Sequence, residues 1–144
     1  MSIYKFFEHI NDEKREVEKA LKRYIEAKEE FYSITSIKYT DMPKSKGKNL
    51  GFDDLMINIE DLFSKYMEKK KKYDEEYNSC MKFINQLSNN LHKLIIEYSF
   101  IDLKKDKDIL NSLEDYHNIN ISYGTLRNEK YKAIKEFKTI INDN

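Results

Sequence analysis

Few residues in this chain could carry covalent or metal chemistry. The candidates are three histidines, His9, His92 and His117, and a single cysteine, Cys80. A zinc site needs its His, Cys or carboxylate ligands at short, defined spacings, and these histidines are scattered with no such partners. Cys80 falls on an apolar stripe and is expected to be a small buried side chain rather than a nucleophile. Adjacent carboxylates at Glu29-Glu30 and Asp53-Asp54 read as helix-surface charge, with Asp53 and Asp54 expected to favour the start of their helix through its dipole. No glycine-rich phosphate loop is present. The reading is a non-enzyme, with no catalytic residues, metal or cofactor.

A different chemistry, recognition of a polyanion, is suggested near the C-terminus. Between Ser122 and Ile141 stand Arg127, Lys130, Lys132, Lys135 and Lys138 against Glu129 and Glu136, a local excess of three positive charges. The preceding stretch, Ile101 to Ile121, carries an excess of two negative charges. Lysines suit phosphate contacts, while Arg127 and Asn128 have side chains fitted to guanine and adenine edges. The expected contact set is Ser122, Tyr123, Thr125, Arg127, Asn128, Lys130, Tyr131 and Lys135.

These residues need a scaffold, and the scaffold is expected to be all-α. From Leu91, three short helical segments are expected. Leu91, Leu94, Ile95 and Tyr98 form the apolar face of the first, and Ile109, Leu110, Leu113 and Tyr116 that of the second. A turn at His117 to Asn120 leads to the third, over about 122–141, with Ser122 as its N-cap. Upstream, steps of four and three from Ile3 reach Phe7, Ile10, Lys14, Val17, Leu21, Tyr24, Lys28 and Phe31, a heptad seam over 3–32. A second seam over 52–87 runs Phe52, Met56, Ile59, Phe63, Tyr66, Lys70, Tyr73, Tyr77, Cys80, Ile84 and Leu87. A loop at 33–51, holding Met42-Pro43, Gly47 and Gly51, would fold the two into an antiparallel, coiled-coil-like hairpin. Phe31 would then lie beside Phe52, and Lys14 level with Lys70. The expected domains are 1–90, the hairpin, and 91–144, the three-helix unit.

The order Ile121, Ser122, Thr125, Leu126, followed by Ala133, Ile134 and Phe137, resembles the helix-turn-helix of sigma-factor region 4. Over most of its length the layout is similar to the RinA/ArpU-type phage regulators: a long helix, a Ser/Thr-rich link (Ser33-Ile34-Thr35-Ser36-Ile37), and a second helix ending in a sigma-like unit. The resemblance implies transcription regulation of phage or mobile-element genes, with the last helix in the major groove of double-stranded DNA. It implies that Leu126, Ile134 and Phe137 pack inward while Tyr123, Arg127, Asn128 and Tyr131 project outward. Two features depart from the pattern. The turn from Tyr116 to Ile121 is longer than usual and lacks glycine, and Glu129 stands where an apolar residue is common.

Bulk composition agrees with helices and leaves the partner open. The chain has 144 residues, 40% hydrophobic and 36% charged, with a formal net charge of zero. Three glycines and one proline leave few tight turns for a β fold. A lone cysteine and no apolar run long enough for a membrane span give a cytoplasmic expectation. Besides DNA, the expected partners are RNA polymerase or another host protein, and a second copy of the chain. The competing function is a phage or mobile-element factor that binds a host protein through its helical scaffold.

Overall fold

The structure is a computed structural model that describes residues 1–40 and 49–143, with side chains for 1–33 and 53–143. The described elements are all helical: α1 (Ile3–Thr40), α2 (Asn49–Ile84), α3 (Asn90–Ile96) running into a π-helical turn (Glu97–Ile101), α4 (Asp106–His117) and α5 (Tyr123–Asp143). No strand occurs among the described residues, and no helix there is long and apolar enough to cross a membrane. The all-α expectation therefore holds.

Both long helices run further into the expected loop than their seams indicated. Ser2 caps α1, its hydroxyl accepting from the Lys5 amide at 3.1 Å. Helix then continues through Ser33 to Thr40, where a loop was expected. That stretch has no glycine or proline, and extending a formed helix is far cheaper than starting one. At the other side α2 begins at Asn49, so Asp53 and Asp54 lie past its first turn, where the dipole effect has faded. Residues 41–48, with Pro43, Gly47 and the neighbouring lysines, lie outside the described residues, as does the side chain of Phe52 expected beside Phe31. The end of α2 falls at Ile84 rather than Leu87.

The chain divides into two compact units, Met1–Asp12 with Glu75–Asn144, and Glu13–Asp74. This division cuts across both long helices, whereas a boundary at residue 90 was expected. In the first unit, the start of α1 and the end of α2 join the short helices in one aromatic core. Phe7 stacks between Phe100 and Phe137, both ring centroids at 5.4 Å, and Phe6 meets Phe83 edge-on at 5.1 Å. Ile3, Ile10, Cys80, Ile84, Leu87, Ile96 and Ile101 are buried in the same unit. Burial raises the Cys80 thiol to about 11, with Glu76 adding to the effect. Cys80 is thus the buried apolar residue expected.

In the second unit α1 and α2 run antiparallel. Lys69 lies 3.9 Å from Glu16, and the Phe63 ring lies 5.2 Å from Tyr24, so α2 descends as α1 rises. The α1 positions expected on the seam here, from Lys14 to Phe31, are at least half-buried. The α2 seam is offset by one residue at alternate steps. Leu55, Leu62 and Lys69 are half-buried, while Met56, Phe63 and Lys70 are exposed. The two readings diverge because α2 carries apolar residues at both offsets. With Lys70 turned to solvent, the expected confrontation of Lys14 and Lys70 within the seam does not form.

Candidate nucleic-acid interface

Helices α3, α4 and α5 share a small core of Ile95, Ile109, Leu113 and Leu126, with Leu91, Leu94, Tyr98, Leu110, Ile119 and Ile121 packed against it. Nearly all the expected apolar faces meet there. Tyr116 is the exception: at 76% exposed it lies in the last turn of α4, past the cluster. Asn89 caps α3 through its side-chain oxygen, which accepts from the Leu91 amide at 2.8 Å. The apolar faces are thereby set by sequence period and caps together.

The connection between α4 and α5 answers the missing glycine. Asn118 takes the left-handed conformation at φ 54°, which asparagine tolerates better than most residues. Its amide donates to the Glu114 carbonyl at 3.2 Å, and the Ile119 amide donates to the Leu113 carbonyl at 2.9 Å. The chain then re-enters helix at Ser122. The Ser122 hydroxyl accepts from the Thr125 amide at 3.2 Å and donates to Thr125 Oγ1 at 2.9 Å. Ser122 is the N-cap that the sequence indicated.

Helix α5 has sharply different faces. Leu126, Ala133, Phe137 and Ile141 are buried, and Ile134 is half-buried. Exposed on the other side are Arg127, Asn128, Tyr131, Lys132, Lys135 and Lys138. The Arg127 guanidinium lies 5.9 Å from the Tyr123 ring, and Tyr123 is itself exposed. Both acids of the helix body, Glu129 and Glu136, point instead toward α3. Glu129 Oε2 accepts from His92 Nε2 at 2.6 Å, and Glu136 Oε1 accepts from the Ser88 amide at 3.1 Å. The His92 hydrogen bond holds the Glu129 carboxyl below its ordinary range, with Lys132 at 3.7 Å adding to the effect. His92 Nδ1, also buried, faces Glu136 Oε2 at 3.9 Å, too far for a hydrogen bond.

Of the eight residues expected to contact DNA, Ser122, Tyr123, Thr125, Arg127, Asn128, Tyr131 and Lys135 are exposed on α5 or at its start. Lys130 differs. It is partly buried, and its ammonium donates to Asp106 Oδ1 at 3.2 Å, tying α5 to the first turn of α4. That ion pair engages the Lys130 ammonium within the fold, unlike the other seven side chains, which are exposed. Lys132 and Lys138, counted in the basic excess of this stretch though not among the eight, share the exposed basic face. Glu129 is accommodated against α3 because His92 stands opposite it. Among the described residues no group of three or more His, Cys, Asp or Glu is placed to hold a metal. No protein-family model matches this chain, and no curated protein and no solved structure matches it.

Proposed function

We propose that this protein is a DNA-binding transcription regulator of phage or mobile-element genes, with α4, its turn and α5 acting as a helix-turn-helix. One observation carries the reading. The exposed face of α5 holds Arg127, Lys132, Lys135 and Lys138 beside Asn128 and Tyr131, while Glu129 and Glu136 are drawn away toward α3. A neutral chain thus offers one helix face dominated by cations, with Glu129 at its edge 3.7 Å from Lys132. Such a face attracts phosphates, and its Arg and Asn could address base edges in the major groove. The likeness of Ile121 to Phe137 to sigma-factor region 4 supports the same reading.

Titration of duplex promoter DNA over a salt series tests it. Affinity should fall steeply with salt, and Arg127→Ala or Lys135→Ala should each lower the salt slope by about 1. Binding that ignores salt, or that survives both substitutions unchanged, would sink the proposal. A second reading, a factor that docks on RNA polymerase or another host protein, is favoured by the exposure of Tyr116, Tyr123 and Tyr131 around the same unit. It predicts that Tyr131→Ala abolishes a stoichiometric host-protein complex while leaving DNA out of the picture.

A further inference from the structure

Among the described side chains of the unit Glu13–Asp74, Ala27 alone is buried. Two helices laid side by side bury one seam, and the apolar residues flanking that seam stay in water. One flank is charged, a groove lined by Glu16, Lys19, Arg23, Lys65, Glu68 and Lys69. The other flank is apolar. Ile25, Tyr32, Met56, Phe63 and Met67 lie there, between 39% and 60% exposed.

This apolar flank has an internal order. On α1 it follows Leu21, Ile25, Lys28 and Tyr32, steps of four, three and four that keep to one helix face, with Leu21 and Lys28 half-buried at the edge of the seam and Ile25 and Tyr32 exposed beside it. On α2 it follows Met56, Glu60, Phe63 and Met67, the same steps. Reading α1 upward and α2 downward, Leu21 matches Met67, Ile25 matches Phe63, Lys28 matches Glu60 and Tyr32 matches Met56. The offset is the same in all four matches and within a few residues of that set by Glu16–Lys69 and Tyr24–Phe63 inside one chain. Each stripe carries one charge, of opposite sign, at the matched level.

We infer that a second copy of this chain covers this flank, forming an antiparallel four-helix bundle in which α1 of each copy lies over α2 of the other. A two-fold axis along the bundle brings every apolar residue against an apolar partner and sets Lys28 against Glu60 twice. Such an isologous contact is the commonest closed form of self-association, and alternating up-and-down helices are its usual bundle. The paired charges select the register, since a shifted bundle would leave each facing an apolar side chain. This inference does not depend on DNA binding.

The mass of the full chain across a dilution series, by sedimentation equilibrium, tests it. The wild-type protein should weigh twice 17.4 kDa at the higher concentrations. Lys28→Glu and Glu60→Lys each place like charges across the axis and should each weaken the dimer at least about tenfold. Glu60 is exposed, whereas Lys28 is half-buried with its Nζ 5.4 Å from the Tyr24 ring, so circular dichroism must show retained helix for each variant. An equimolar mixture of the two variants restores both opposite-charge pairs between chains and should recover the doubled mass. A wild-type chain that stays at 17.4 kDa overturns the inference, as does a mixture no heavier than its components. A dimer indifferent to both substitutions would place the interface elsewhere and overturn it too.

Discussion

His92 Nε2 and Glu129 Oε2 lie 2.6 Å apart, linking α3 to α5 across 37 residues of sequence. The ionised carboxylate can only accept, so the ring nitrogen carries the proton. This contact makes Glu129 an inter-helix tie and holds its carboxylate at the edge of the basic face, beside Lys132.

Its pH dependence follows from the lowered Glu129 carboxyl, whose main cause is the His92 hydrogen bond. A carboxyl lowered on folding contributes stability that is full above its unfolded value, about 4.3. That contribution is lost as pH falls through the lower folded value. Glu129→Gln should therefore destabilise the protein by about 1–2 kcal/mol near neutrality. The difference from wild type should shrink toward pH 3. Urea midpoints at pH 7, 5 and 3 check this, and a difference that does not change with pH contradicts it.

Phe7 is stacked on both sides by aromatic rings from distant parts of the chain, Phe100 and Phe137. Phe7→Ala should cost about 3–5 kcal/mol through lost burial and the cavity left behind. Phe7→Leu should cost less than half as much. Thermal and urea unfolding of the two variants compare the losses, and equal small effects would mean that the stack contributes little.

The roles of Ser122 separate by substitution. Ser122→Ala removes the N-cap and should cost about 1 kcal/mol. Ser122→Asp keeps a capping acceptor and suits the helix dipole, so stability should remain near wild type. If α5 faces DNA, that same added negative charge should weaken binding, as a salt-series titration would show.

Lys130 and Lys135 are near neighbours in sequence with opposite expected effects. Lys130→Ala breaks the 3.2 Å pair with Asp106 and should lower the melting temperature while leaving the salt slope of DNA binding almost unchanged. Lys135→Ala should leave melting unchanged and reduce that slope by about 1. Reversed outcomes would show that the two lysines have the other's role.

Local order accounts for what could be read from residues alone. The 3.6-residue period places Leu91, Ile95, Ile109, Leu113 and Leu126 inward, and Ser122 declares its cap, because both depend on neighbours within a few positions. Arg127, Asn128, Tyr131 and Lys135 are outward for the same reason. Period alone could not choose between Met56, Phe63 and Lys70 and their neighbours Leu55, Leu62 and Lys69, since apolar residues occupy both offsets of α2. It could not show that Phe6 and Phe7 share a core with Phe83, Phe100 and Phe137, or that His92 would accept Glu129 and Asp106 would claim Lys130. Those pairings join residues far apart in the chain, and only tertiary packing decides which distant side chains meet when their helices are brought side by side.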